Sequence, residues 1–338
     1  MSVYPPQALA EPVAPVPPRP TRGRGSSMRE WRVRDQLIML VAWATGIALC
    51  LIAGAIVVYM GVRGLQYLRP DLLITRPQET IDQNGAGGFL DPLIGTAVLT
   101  AIGVAIALPL GVCSAAWIVE YGRPSWLARL VESSIEIVAG TPDIVIALFG
   151  LSIFQLGLFA PFSFKASGGG VFGKSFIAAG ATMSLIALPP LFTATREGLQ
   201  AVPAQVREAA FALGKTRIAT IRRVLIPSVR SNIATGTMLG VSRIVGDTAI
   251  VIIVLAEGAP RNEPAGATPV LGFLRGTGSS LTSFVYGNSP AGEGNSPTKA
   301  YAAAFVLLLF ILALDALVGR ISRAHARASG FDASVGAL

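Results

Sequence analysis

Two ionisable residues stand where hydrocarbon is expected, because Arg243 and Asp247 fall inside the apolar stretch 233–256. A guanidinium offers a planar fork of donors that matches the oxygens of an oxyanion two at a time. A carboxylate one helical turn away can accept a hydrogen bond from a protonated oxyanion and disfavours a fully deprotonated one. Taken as a helix, Arg243 lies roughly 16–20 Å from either end of the stretch at about 1.5 Å per residue. An arginine that deep cannot easily snorkel, and alone it costs at least about 2.5–3.5 kcal/mol. It must face a partner or a water-filled path. The competing reading is a structural pair in which Arg243 and Asp247 neutralise each other, although Arg before Asp at i, i+4 is the weaker order. Asp315, Arg196 and Glu197 sit near the ends of apolar stretches, where an interfacial or structural role is the simplest account, with gating by Arg196 and Glu197 as an alternative.

A second constellation spans 206–227, VREAAFALGKTRIATIRRVLIP. Pro203 opens a helix of good formers, Glu208, Ala209, Ala210, Ala212 and Leu213. Gly214 stops it as a C-terminal cap. A basic amphipathic helix follows, with Arg217, Arg222 and Arg223 against Ile218, Ile221, Val224 and Leu225, until Pro227 breaks it. The bland reading is a solvated basic loop at a bilayer surface.

Other chemistry is excluded or rejected. Residues 168–175, GGGVFGKS, match the P-loop pattern letter for letter. A P-loop needs a strand before it and a soluble helix after it, whereas here a membrane span follows, so the stretch reads as a glycine-rich connection. One histidine, His325, and two cysteines, Cys50 and Cys113, both in apolar runs, argue against a zinc site and a disulfide framework. Catalytic groups do not cluster at one depth, so the chain reads as a non-enzyme.

The elements that must hold these residues are membrane helices. The chain is 52% hydrophobic and only 14% charged, with mean hydropathy +0.61, against about 25% charge for soluble domains. Six stretches are long enough to span at about 20 residues each: 37–62, 93–119, 144–162, 176–195, 233–256 and 300–318. Leu127 to Ala139, with Arg129, Glu132 and Glu136 on one face, reads as an amphipathic surface helix. With the N-terminus in the cytoplasm, cytoplasmic segments hold 18 Lys and Arg and outer loops hold 8, so the positive-inside rule selects cytoplasmic N- and C-termini. That places 196–232 in the cytoplasm. Residues 1–36 form a Pro-rich basic tail read as disordered, and 319–338 a second cytoplasmic tail. Gly236-x-x-x-Gly240 permits close helix packing and is read as a possible contact with a sister subunit.

At 206–227 the sequence resembles the permease subunits of ABC importers, whose cytoplasmic loop reads E-A-A-x3-G-x9-I-x-L-P. Here the matching residues are Glu208, Ala209, Ala210, Gly214, Val224, Ile226 and Pro227. Over residues 85–320 the resemblance narrows to the PstA-like permeases of phosphate importers. It is carried by Gly140 to Val145, by Ser242-Arg243-Ile244-Val245-Gly246-Asp247-Thr248-Ala249, and by the loop text FLRGTGSSLTSFVYGNSPAGEGNSPTKAYAAAF. Asp247 replaces the family's Glu, Ile250 its Pro, and Asp143 its Ser. The resemblance implies an all-α, type I (MetI-like) permease core over 93–318 in the bacterial inner membrane, preceded by one extra helix at 37–62. It implies ATPase-coupling roles for Glu208, Ala209, Ala210, Gly214 and Pro227, and substrate-pathway roles for Arg243 and Asp247. The implied partners are a homologous PstC-like permease, a PstB-like ATPase dimer that uses ATP and magnesium, and a PstS-like phosphate-binding protein. No cofactor is expected on this chain, and no nucleic acid. Molybdate or sulfate as the carried oxyanion, and an ATP-independent channel or carrier, are the alternatives.

Overall fold

A computed structural model of the chain describes residues 33–77, 87–122, 125–164, 171–255, 269–290, 292 and 296–328. The tail 1–32, the glycines 168–170 and the last residues, 329–338, lie outside the described residues, so the expected tails are described only where they join helices. The chain divides into two compact units, Met1–Val58 and Tyr59–Leu338.

The first unit is the bulk of helix α1 (Val33–Tyr67), which contains the expected stretch 37–62. From residue 35 to Val58 it buries nothing, and Leu37, Trp43 and Leu51 are each more than half exposed. An apolar helix in this state has lipid or another chain as its solvent.

The second unit is built around α6 (Phe176–Ala201), two-thirds buried over its apolar window at 67%. It packs between α3 (Leu90–Glu120) and α10 (Arg230–Gly246), and α10 packs in turn on α13 (Pro297–Ala328). Small residues make this possible. A Cβ on Gly103 would come within 2.7 Å of Ile244, one on Gly111 would strike the Leu191 side chain, and one on Gly236 would sit 2.9 Å from the Leu191 Cα. Gly236 and Gly240 therefore face α6 of the same chain, which corrects their assignment to a sister subunit. Replacing Gly236 by Leu forces this contact open at a cost of about 1–3 kcal/mol or more. The variant should lose thermal stability in detergent, and an unchanged midpoint would contradict the packing.

Among the described residues, four helices are long and apolar enough to cross a membrane: Asp35–Tyr67, Leu90–Glu120, Phe176–Ala201 and Pro297–Ile321. They answer four of the six expected stretches. The other two are interrupted. Instead of one span over 144–162, α4 (Trp126–Gly140) and α5 (Asp143–Phe154) form a pair bent by 113°, which together would make a fifth span. Pro142, with φ −59° and ψ 138°, lacks the N–H and the backbone angles that would carry the helix through. A short 3₁₀ turn, Gly157–Phe162, then closes the segment. The stretch 233–256 breaks at Asp247, whose backbone is extended (φ −77°, ψ 134°), before a wider π-type turn, Val251–Leu255.

Smaller helices complete the unit: α2 (Pro70–Ile74), α7 (Ala204–Ala212), α8 (Arg217–Thr220), a π-type turn (Ile221–Leu225), α9 (Ile226–Ser228), α11 (Pro269–Arg275) and α12 (Leu281–Asn288). The described part of the P-loop-like stretch, 171–175, is an irregular connection that leads into α6. Ser175 is fully buried, and its hydroxyl donates to the Phe162 carbonyl at 2.6 Å and accepts from Ala178 N–H, so that it caps α6.

Candidate functional site

Arg243 lies one turn before the break that ends α10, and Asp143 lies in the first turn of α5, at the bend after α4. The two interrupted stretches meet there, with Arg243 Nη2 3.9 Å from Asp143 Oδ1. The side chains are 44% and 41% exposed, so the pair stands on an open face of the subunit. Its neighbours on the two helices, Leu239, Ile144, Val145 and Leu148, are apolar and exposed. Arg243 thus stands near a helix end, not in mid-helix as an unbroken stretch predicted, and since a charge facing hydrocarbon is costly, such a face is covered by protein or opens to water.

Asp247 does something different. The break turns it inward, to 8% exposure, and its Oδ2 accepts the Ile250 N–H at 2.8 Å. A carboxylate that captures a backbone N–H three residues on caps a new helical turn instead of continuing the old one. Its carbonyl accepts the Thr282 hydroxyl at 3.0 Å, and the Ser280 and Thr282 hydroxyls are 2.6 Å apart. The Leu281 N–H reaches Thr96 Oγ1 at 2.8 Å. Residues 279–283 are thus folded back into the bundle between α3 and the break. The self-neutralising Arg243–Asp247 pair does not form, because the helix ends between the two side chains. Asp247 remains within electrostatic range of both Asp143 and Arg243.

The second site is the connection from α6 to α10. Helix α7 ends as the sequence predicts, with Gly214 at φ +75°. The Lys215 N–H bonds the Ala210 carbonyl at 3.2 Å and the Gly214 N–H bonds that of Phe211 at 2.9 Å, the paired closure of a Schellman cap. Glu208 and Ala209 are exposed, and so are Phe211, Leu213 and Ile218, which leaves an apolar tip open to a partner. Ala210 is 5% exposed and packs inside the chain, so its small size serves internal contact. Pro227 is half-buried inside α9 and does not break the basic helix as expected: the wider π-type turn Ile221–Leu225 precedes it, and the helical run ends only after Ser228.

Arg207, not singled out from the sequence, ties this connection to the bundle. Its Nε donates to Glu120 Oε1 at 2.9 Å, and its Nη1 and Nη2 donate to the carbonyls of Val202 and Leu199, each at 2.7 Å. One guanidinium therefore satisfies the open C-terminal carbonyls of α6 and the carboxylate that ends α3. The Glu120 side chain is 7% exposed. Arg217 adds a bond to the Glu120 carbonyl at 3.3 Å and lies 5.1 Å above the Tyr121 ring. Arg196 pairs with Glu132 of α4 at 2.8 Å, and Glu197 is exposed. Asp315 is half-buried on α13. Among the described residues, no group of three or more His, Cys, Asp or Glu is placed to hold a metal ion.

The profile of the family described as "Binding-protein-dependent transport system inner membrane component" matches residues 107–327. The phosphate transport system permease protein PstA of Haemophilus influenzae is 30% identical over 257 residues, covering 75% of this chain and 81% of its own. The corresponding PstC protein of Xylella fastidiosa (strain 9a5c) is 29% identical over 238 residues, 67% of this chain and 69% of its own. Among solved structures, a bacterial alginate ABC transporter, in complex with a periplasmic protein that holds an alginate pentasaccharide, superposes with a TM-score of 0.58. It is 14% identical, over 86% of this chain and 95% of its own, so the likeness is one of fold.

Proposed function

Because the chain belongs to the binding-protein-dependent transport system inner membrane component family, we propose that it is one of two permeases forming the pathway of an ATP-driven importer of inorganic phosphate. Membership makes it a permease subunit of an ABC importer. The substrate rests on the phosphate transport proteins it resembles and on one observation, the half-exposed Arg243–Asp143 pair where two broken helices meet. Broken helices at depth are where transporters build substrate sites, since their free backbone ends are tolerated only beside protein or water.

In this reading Arg243 supplies the cation of the pathway. At rest its counterion is Asp143, and the loose 3.9 Å contact leaves the fork available. An entering dihydrogen or monohydrogen phosphate takes the donors, and Asp143 is released. Asp247 acts from behind, buried beneath the pair, where the turn it caps holds the break in place. The homologous second permease covers the face around Leu239 and Ile144. Residues 196–232 lie in the cytoplasm, where a separate ATPase dimer burning ATP with magnesium receives α7 through Glu208, Ala209 and the exposed tip. Gly214 fixes the angle between the two arms of the loop, and Pro227 lies within the second arm, whose helical run ends after Ser228. A binding protein delivers phosphate from outside.

The test is uptake by the complex reconstituted in vesicles with internal ATP, using labelled phosphate against excess sulfate, molybdate or arsenate. Phosphate accumulation that arsenate suppresses and sulfate does not is the expected result. Uptake of molybdate or sulfate in its place would make the chain a permease for that oxyanion. Uptake that persists without ATP would overturn the coupling through 196–232.

A further inference from the structure

At the end of the bundle that carries α7, a cavity of about 780 Å³ opens between the last turn of α3, the start of α4, the end of α6 and α7. Its charged wall is Arg129 and Glu132 from α4, Arg196 from α6 and Arg207 from α7, above an apolar floor that includes Ile118 and Ala128. Three guanidinium groups therefore share the wall with one carboxylate. Glu132 is already held by Arg196, and Arg207 is committed to Glu120 and two carbonyls. Arg129 is exposed and makes no ion pair or side-chain hydrogen bond among the described residues. The Nε of Arg196 is buried and has no hydrogen-bond partner. A wall with more guanidinium groups than carboxylates favours an anion in the cavity.

We infer that this cavity is a binding site for a phosphate-bearing anion, held by Arg129 and Arg196. Its volume falls within the ordinary range of small-molecule sites, and the apolar floor suits an organic group joined to the phosphate. Helix α4 strengthens the case. Ser125, Ala128, Arg129 and Glu132 face the cavity, while Trp126, Leu127, Leu130 and Ile137 are exposed on the helix's other sides, Trp126 by 70%. Such a helix lies at a boundary between polar and apolar surroundings, where basic pockets between membrane helices take anionic headgroups. The same arginines would also accept inorganic phosphate from solution. None of these residues belongs to the Arg243–Asp143 face, so the inference stands apart from the identity of the carried ion.

The experiment uses the full chain purified with the subunits it assembles with. In one arm the complex is held in nanodiscs of phosphatidylcholine mixed with phosphatidylglycerol, and the phosphatidylglycerol retained per complex after extraction is counted by mass spectrometry. In the other the nanodiscs are phosphatidylcholine alone, and labelled inorganic phosphate is bound at equilibrium. Arg129→Ala is expected to weaken binding about fivefold in whichever arm holds the ligand, and Arg129→Lys to keep most of it. Arg196→Lys, which can keep the pair with Glu132 but loses the planar fork of donors, should also weaken it. An effect in the first arm makes the ligand a lipid headgroup, and an effect in the second makes it free phosphate. If neither Arg129→Ala nor Arg196→Lys changes binding in either arm, the cavity is not an anion site.

Discussion

Phosphate uptake by a complex carrying Arg243→Ala should fall by roughly 10- to 150-fold, the loss of one charge-assisted contact worth about 1.5–3 kcal/mol, while the complex still assembles. Assembly should survive because the side chain is 44% exposed and its ion pair among the described residues is the long one to Asp143. Arg243→Lys should fall between, since an ammonium keeps the charge and loses the planar fork. The telling variant is Asp143→Asn. If Asp143 is the resting counterion that phosphate displaces, removing its charge should lower the phosphate concentration needed for half-maximal uptake, because the anion no longer competes with a carboxylate. It should also slow release, so maximal uptake falls. A structural pair would behave differently: both single changes would reduce the amount of assembled complex and leave the half-maximal concentration where it was. Normal uptake by Arg243→Ala would remove the residue from the pathway.

The sequence announces the helices of this fold more clearly than their interruptions. Apolar length alone finds α1, α3, α6 and α13, because a helix in lipid must be apolar over its whole span. The same criterion treats 144–162 and 233–256 as equals of the others, and there it fails. Pro142 was a visible signal for the first break, and its consequence, a helix pair bent by 113°, depends on how α4 packs against α6. The second break rests on Asp247 choosing the Ile250 N–H over a helical register, a choice supported from residues 279–283, more than thirty positions away. No local pattern encodes that support. A still longer separation hid the real partner of Arg243: i, i+4 spacing offered Asp247, while the fold supplied Asp143. The Gly214 cap, being local, was fully readable.

The ion pair between Arg207 and Glu120 leads to the sharpest expectation about coupling. Domain closure in a partner can move a membrane helix only through contacts that do not give way. The apolar contacts around α7 are sparse, and Ala210 is its buried residue. Arg207 instead holds α7 to α3 through Glu120 and to α6 through two carbonyls, all at 2.7–2.9 Å. A push on Glu208 and Phe211 would therefore reach both helices together. Arg207→Met leaves Glu120 buried and unpaired, and Glu120→Met leaves the guanidinium without its carboxylate, so each single change should destabilise the chain by about 3–5 kcal/mol. Changing both to Met should restore much of that stability, because neither charge is then stranded. Coupling should not return with it. The double variant should assemble and hydrolyse ATP, yet the hydrolysis should respond little to the loaded binding protein and the phosphate carried per ATP should drop severalfold. Stability and coupling are thus separated by one cycle of variants. If the double variant carries as much phosphate per ATP as the unaltered complex, Arg207 and Glu120 only hold the fold, and the motion reaches α3 by another route.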